Sequence, residues 1–132
     1  MSTASRSGVV LIDTCGWIDF LRPGDGVLAD RVEHALAHDL AAMCSASQAE
    51  LLQGVKGQKE QRQLDLLFDN VVLLEVEPPD WLSAGRALQS LRAKGIQIPL
   101  TDALIAAVAI RLGLPVLTSD AHFANLGVVL AG

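Results

Sequence analysis

Short, continuous apolar runs alternate with longer segments of helical periodicity, and this alternation constrains the fold more than any other feature of the sequence. Such short runs are typical of strands buried on both faces. They cover residues 9–12, 40–44, 71–74 and 116–117, with 128–130 as a candidate edge strand. The helical segments cover residues 25–38, 45–55, 58–68, 80–93 and 102–112. The pattern predicts an α/β fold, a three-layer α/β/α sandwich with a central parallel sheet of four to five short strands.

The chain length and composition fit one packed domain. The 132 residues are 51% hydrophobic and 19% charged, which suits a single core. Residues 1–7 are small and polar and predict a flexible tail, so the domain is expected to span 8–132. No apolar run approaches the roughly 20 residues that cross a bilayer, and none matches a signal peptide. We therefore expect a cytoplasmic protein with no membrane partner, in which Cys15 and Cys44 are free thiols.

The charge distribution argues against one class of nucleic-acid-binding protein. The net charge is −5, and the lysines and arginines are scattered along the chain. A protein that grips duplex nucleic acid through a broad basic face is thereby disfavoured. An enzyme that acts on nucleic acid through bound metal ions is not, because the metal supplies the local positive charge.

Four acidic residues occupy positions that differ from those of the other acids. Asp13 follows the first predicted strand, and Asp120 follows the strand at 116–117. Ligand sites in parallel sheets lie beyond the carboxyl ends of the strands, so these two acids are expected to meet. Asp102 lies in the first turn of the most apolar helix, with Thr101 as its expected cap. Glu50 lies on a helix that also follows a strand, with Ser45 or Ser47 as the candidate cap.

Each of these acids also has a simpler explanation. Asp102 could favour the helix dipole, Asp13 and Asp120 could cap local turns, and Glu50 could be a surface residue. Taken together, however, four converging carboxylates would repel one another and raise each other's pKa. A hard divalent cation such as Mg²⁺ or Mn²⁺ would relieve that repulsion, since it prefers oxygen ligands. The sequence therefore favours a metal site.

The histidines are weaker candidates as metal ligands. His34 and His38 are four residues apart, but they lie among acids on a helix face that is expected to be exposed. His122 follows Asp120 closely, and we expect packing or hydrogen bonding in that turn. Ligation by a histidine is therefore the less favoured interpretation.

Four segments resemble a known family. "VLIDTCGWIDFL", "SASQAELLQG", "TDALIAAVAIRLGLPVLTSD" and "AHF" are similar to the PIN-domain ribonucleases, and most closely to the VapC toxins of bacterial toxin–antitoxin pairs. The likeness extends from residue 9 to about residue 130. It implies a single PIN-like domain over 8–132.

The resemblance assigns roles to individual positions. Its catalytic and metal-binding acids are Asp13, Glu50, Asp102 and Asp120. Thr14 and Thr118 support them, with Thr118 orienting a carboxylate or a metal-bound water. Trp17, Ile18, Leu21 and Phe123 match core positions. Cys15 departs from the pattern, since serine is common there and a thiol is a poorer hydrogen-bonding partner.

The implied activity is that of a metal-dependent endoribonuclease acting as a toxin. One or two Mg²⁺ or Mn²⁺ ions would activate water and stabilise the phosphate and the leaving oxygen, giving 5′-phosphate and 3′-hydroxyl ends. Asp13 and Asp102 are expected as the principal ligands, with Glu50 completing the site and Asp120 holding a second ion or positioning water. The implied partners are RNA, a small VapB-like antitoxin and a second copy in a homodimer, alone or within a heterotetramer or larger complex with the antitoxin.

Other enzyme classes fit less well. A haloacid dehalogenase-type phosphatase needs an acid at position 15, and a receiver domain needs paired acids and a late lysine. Flap-type nucleases need more chain than 132 residues provide. A catalytically inert PIN-like module that binds RNA or protein remains the alternative. The basic residues carry no evident RNA recognition code, although Arg22, Arg86 and Arg92 are candidate phosphate contacts.

Overall fold

The computed structural model describes residues 8–22 and 26–131, so the predicted tail at 1–7 lies outside the described residues. Helices and strands alternate as the sequence predicts. In chain order they are β1 (Val10–Ile12), α1 (Thr14–Leu21), α2 (Val27–Ala37), β2 (Ala41–Cys44), α3 (Ser45–Gln53), α4 (Gln58–Asn70), β3 (Val72–Leu74), α5 (Pro78–Ala93), α6 (Leu100–Leu112), β4 (Val116–Leu117) and a 3₁₀ helix (Ala121–Leu126). None of the described helices has the length and apolar character to cross a bilayer.

The four strands form one parallel sheet in the order β3-β2-β1-β4. β1 is a central strand, with Leu11 paired to Ala42 on one side and to Val116 on the other. The predicted edge strand at 128–130 is reduced to a single parallel bridge between Val116 and Leu130. The prediction of an α/β fold around a parallel sheet is confirmed, with four strands in the part of the chain described.

Successive strand residues point to opposite faces of the sheet and enter two separate cores. Leu11 and Val116 pack into the core beneath α5 and α6. Ile12 and Leu117 pack into a second core with residues of α1, α2 and α4. Because a buried layer lies on each face, the short strands carry apolar residues at consecutive positions, and the three-layer prediction is confirmed.

Helix α6 is the buried central helix that its composition predicts. Every residue from 103 to 109 is buried. The helix ends at Gly113, whose left-handed φ of 68° is easily adopted by glycine. The predicted cap at Thr101 is wrong, because the helix already begins at Leu100 and Pro99 occupies the cap position. Asp102 nevertheless lies in the first turn.

Two apolar side chains, Ile18 and Trp81, are more exposed than their helical spacing predicts. Trp17 is fully buried, but the next residue, Ile18, is 37% exposed, since each step around a helix turns a side chain by about 100°. Trp81 is 54% exposed, whereas its neighbour Asp80 is buried. In the first turn of α5, the Asp80 carboxylate therefore points into the protein and the Trp81 indole points into solvent.

A buried ion pair explains the burial of Asp80. The guanidinium of Arg111 donates to both carboxylate oxygens of Asp80, with Nε–Oδ1 and Nη2–Oδ2 distances of 2.9 Å. The backbone amide of Glu77 also donates to Asp80, at 2.8 Å. Burial opposes ionisation of Asp80, but the Arg111 and Glu77 hydrogen bonds and the Arg111 charge outweigh it and lower its pKa. This pair ties the start of α5 to the end of α6, so the two helices run antiparallel.

Replacing Arg111 with Met should lower the free energy of unfolding by about 3–5 kcal/mol, because it leaves the Asp80 charge buried without its partner. Since the pKa of Asp80 is lowered in the folded state, its stabilisation is present above the ordinary value of 3.8 and is lost as the pH falls through the folded pKa. The difference between wild type and Arg111→Met should therefore shrink in acid. Urea denaturation at neutral and acidic pH measures it, with the exposed Arg62→Met as control. Equal losses for the two variants would contradict the assignment.

Candidate metal centre at the carboxyl ends of the strands

Asp13 is a buried carboxylate at the exit of β1. It occupies the cap position of α1 and is 1% exposed. Its Oδ1 accepts a hydrogen bond from the Gly16 amide at 2.8 Å, and its Oδ2 accepts one from the Thr118 hydroxyl at 2.5 Å. A Cβ at Gly16 would lie 2.6 Å from Ile12 Cγ2, which explains the glycine in this turn. The capping role is therefore real, but it does not explain the neighbouring acids.

The pKa of Asp13 is raised above its ordinary value. Burial is the main cause, and the negative charges of Asp102 and Asp120 add to it. The hydrogen bonds from Thr118 and Gly16 lower the pKa but do not outweigh these effects. A cation near Asp13 would stabilise its ionised form and lower this pKa.

Thr118 links Asp13 to Asp120. Its hydroxyl donates to Asp13 and accepts from the Asp120 amide at 2.9 Å. Asp120 follows β4, caps the 3₁₀ helix and accepts from the His122 amide at 3.2 Å. The ends of the adjacent strands β1 and β4 therefore bring the two acids to the same edge of the sheet.

His122 bridges Asp102 and Asp120 through both ring nitrogens. Nε2 lies 2.8 Å from Asp102 Oδ2, and Nδ1 lies 3.0 Å from Asp120 Oδ1. The ring therefore lies between the two carboxylates and fixes their relative position. One ligand atom from each of these three residues lies within 4.8 Å of the others. The one signal for this bridge in the sequence is weak, namely that His122 follows Asp120 by two residues.

Glu50 joins the site through Thr14. The Thr14 hydroxyl donates to Glu50 Oε1 at 2.5 Å and lies 3.0 Å from the hydroxyl of the buried Ser47. Neither serine caps α3 through its side chain, since Cys44 occupies the cap position and makes no such bond. Ser45 instead accepts from the Val76 amide. Ser47 therefore belongs to the surroundings of Glu50, which sequence reasoning missed.

Cys15 is an exposed free thiol beside the acids, and Cys44 is a buried one, as predicted. Partial burial, together with the charges of Asp13, Asp102 and Asp120, raises the pKa of Cys15 to about 11. The thiol is therefore neutral near pH 7 and leaves the negative charge of the site unchanged. Because these three charges act on the Cys15 thiol, this position lies near the acids.

The donor chemistry fits a hard divalent cation. Asp102 and Asp120 lie close enough to Asp13 to raise its pKa, and Glu50 is hydrogen-bonded to Thr14, the residue that follows Asp13. Carboxylate oxygens are the ligands that Mg²⁺ and Mn²⁺ prefer. Such an ion would offset the burial and charge repulsion that raise the pKa of Asp13. No cysteine or multi-histidine set among the described residues forms a competing softer site.

The sequence of the chain is similar to those of known proteins. A model of the PIN domain matches residues 10–129. Ribonuclease VapC11 of Mycobacterium tuberculosis and a VapC ribonuclease of Mycobacterium bovis are each 30% identical over 119 residues, covering 87% of this chain and 89% of the relative.

Solved structures share the fold. The chain is similar to VapBC2 from Rickettsia felis bound to a DNA fragment from its promoter, at 18% identity and a TM-score of 0.75, covering 93% and 97% of the two chains. It is also similar to VapC20 of Mycobacterium tuberculosis, a toxin that cleaves the sarcin-ricin loop, at 18% identity and a TM-score of 0.71, covering 92% and 98%. The family match and the 30% identical relatives, supported by this likeness, show that the chain belongs to the PIN-domain family.

Proposed function

We propose that this protein is a metal-dependent endoribonuclease that acts as the toxin of a toxin–antitoxin pair. The observation that carries the proposal is the buried Asp13 carboxylate, whose pKa is raised by burial and by Asp102 and Asp120 at the carboxyl edge of the sheet. Membership of the PIN-domain family and the ribonuclease relatives support RNA as the substrate. The acids alone would repel a phosphodiester, so an activity on RNA needs a cation at this edge.

Asp13 and Asp102 would be the principal ligands of one Mg²⁺ or Mn²⁺ ion, with Glu50 completing the site. Asp120 would hold a second ion or position the attacking water. When bound, such ions make a water more acidic and stabilise charge on the phosphate and the leaving oxygen. The expected products carry 5′-phosphate and 3′-hydroxyl ends.

Neighbouring side chains hold these acids in place before substrate arrives. Thr118 fixes one oxygen of Asp13, and the Gly16 amide fixes the other. Thr14 orients Glu50, and His122 holds Asp102 and Asp120 at a set separation. Groups that orient ligating carboxylates in this way typically contribute 10- to 100-fold to metal affinity or activity. Thr14, Thr118 and His122 are therefore positioning residues in this proposal.

The proposed regulatory partner is a small VapB-like antitoxin. The chain has a net charge of −5, and its catalytic edge is acidic, so a basic side chain from a partner would be attracted to the site. The similar Rickettsia felis structure is a VapBC complex. A homodimer, alone or within a heterotetramer or larger complex, and a cytoplasmic location complete the proposal.

The products of RNA cleavage test the proposed activity. The purified protein should cut total RNA in the presence of Mn²⁺, and its products should be degraded by an exonuclease that requires a 5′-phosphate. An Asp102→Asn preparation, purified in parallel, controls for contaminating nuclease. Equal cleavage by both preparations, or products ending in a 2′,3′-cyclic phosphate, would refute the mechanism.

A further inference from the structure

The segment between Asp80 and Asp102 has a charge pattern unlike the rest of the chain. Residues 81–101 contain none of the 15 acids but three of the 10 basic residues, Arg86, Arg92 and Lys94. All three side chains are exposed. Among the described residues none of them forms an ion pair, whereas Arg111 does. In a protein of net charge −5, α5 thus carries positive charge without an ion-pair partner, although at about 100° per residue Arg86 points to a different side of the helix from Arg92.

This surface leads to the acid site. The Asp80–Arg111 pair joins the start of α5 to the end of α6, so the end of α5 lies beside the start of α6. Arg92 and Lys94 are at the end of α5, and Asp102 is in the first turn of α6. The basic residues and the proposed catalytic acid thus share one end of the helical hairpin.

A groove and an exposed indole lie along the same side of α5. The groove has a volume of about 460 Å³ and is lined by Gly85, Leu88, Gln89, Arg92 and Ala93. Trp81 precedes Arg92 by eleven residues, which is close to three helical turns, or about 16 Å. The 54% exposed indole is therefore on the side of α5 that carries the groove and Arg92.

We propose that this α5 surface, from Trp81 to Lys94, binds the single-stranded RNA that leads into the acid site. On one side of α5, Arg92 would contact a phosphate and Trp81 would stack on a base, while Arg86 and Lys94 would contact phosphates where the strand passes around the helix. Charge and an accessible aromatic ring are the two elements that bind single strands without a sequence code. The proposal rests on the proposed ribonuclease function and names the surface that would recognise its substrate.

Two other occupants fit the surface less well. In a two-fold symmetric dimer the same patch faces itself, so a homodimer through α5 would bring like charges together. Duplex nucleic acid is usually bound by a broader basic face than three side chains on one helix provide. A flexible single strand can follow an open depression along one helix, such as the one on α5.

Binding can be measured without cleavage by using Asp13→Asn protein in EDTA and fluorescein-labelled oligouridylate. Replacing Arg86, Arg92 and Lys94 with Gln should make the slope of log K against log salt shallower by about 2, at roughly 0.7 per phosphate contact. The matched control replaces Lys56, Lys59 and Arg62 with Gln on and before α4, which removes the same charge from exposed positions. It should leave the slope unchanged. Equal effects of the two triple variants, or no effect of the α5 variant, would overturn the proposal.

Trp81 supplies a second readout. The other tryptophan, Trp17, is fully buried, so a ligand that stacks on α5 should quench the emission of Trp81. Trp81→Leu should abolish the quenching and weaken binding about tenfold, while Trp81→Tyr should retain most of the affinity. Binding of RNA without quenching would contradict stacking at this position.

The oligomeric state separates RNA binding from self-association. Sedimentation should show the same oligomer for wild type and the α5 triple variant, and a shift from dimer to monomer would assign the surface to a second copy instead. The two proposals can fail separately. RNA binding through α5 without any cleavage would refute the nuclease alone, and cleavage with unaltered binding by the α5 variant would refute the α5 surface alone.

Discussion

Asp13→Asn protein should lose RNA hydrolysis and at the same time become more stable. The variant removes a proposed metal ligand, and metal ions stabilise the transition state of such reactions by several kcal/mol. Activity should therefore fall by about a hundredfold to a thousandfold. Asn has nearly the same shape as Asp. Its oxygen can still accept from the Gly16 amide, and its NH₂ can donate to the Thr118 hydroxyl. The buried charge disappears, and the free energy of unfolding at neutral pH should rise by about 0.5–2 kcal/mol.

The pH dependence of that gain identifies its cause. Because the pKa of Asp13 is raised in the folded state, the folded protein keeps this proton at pH values where the unfolded chain has already released it. Its contribution to stability is therefore present below the ordinary value of 3.8 and is lost as the pH rises through the folded pKa. Asp13→Asn should exceed wild type at neutral pH and match it in strong acid.

Urea denaturation at neutral and acidic pH measures this difference. Asp69→Asn, at an exposed position on α4, is the control and should change neither stability nor cleavage. A less stable Asp13→Asn protein at neutral pH would show that Asp13 mainly stabilises the fold as a cap. In that case the burial of the carboxylate would need no cation.

Mn²⁺ or Mg²⁺ should raise the thermal unfolding midpoint of the wild type by several degrees. An ion that binds only the folded protein adds about 2.7 kcal/mol of stability at a hundred times its dissociation constant. The acids repel one another until the ion binds, so the gain should be large in the wild type and mostly lost in Asp13→Asn. Asp69→Asn should respond like wild type, which excludes a general effect of salt. A wild type that does not respond, or an equal response in Asp13→Asn, would contradict a metal site at Asp13.

The parts of the fold that follow from local pattern could be predicted from the sequence. A short apolar run that ends in an acid indicates the exit of a buried strand, and Asp13 is found there. The Ala-rich stretch after Asp102 predicts a helix buried all round, and α6 is that helix. Because parallel strands end at one edge, the convergence of Asp13 and Asp120 follows from the order of the elements.

Side-chain pairing between distant residues could not be predicted in the same way. Asp80 and Arg111 are 31 residues apart, and either could have been a solvated surface charge. Asp102 and His122 are 20 residues apart, and only the folded chain places the imidazole between two carboxylates. Local sequence alone predicts that Ser47 is a helix cap. Its actual contact with Thr14 forms only because the ends of two strands lie together.

Exposure within a helix is also poorly specified by spacing alone. Ile18 and Trp81 are apolar residues at helical intervals, yet both lie partly in solvent. Each of them follows a buried residue, since Ile18 comes after Trp17 and Trp81 comes after Asp80. Burial of the preceding side chain turns the next one toward solvent. In α5 the Trp81 indole is therefore accessible to solvent, and the proposed RNA contact depends on this exposure.

Metal-dependent cleavage of RNA by the wild type tests the central claim most directly. Protein dialysed against EDTA should leave a labelled oligoribonucleotide pool intact, and added Mn²⁺ or Mg²⁺ should restore hydrolysis in wild type but not in Asp13→Asn. Cleavage that continues in EDTA, or that returns equally in both proteins, would contradict a metal-dependent nuclease site at these acids.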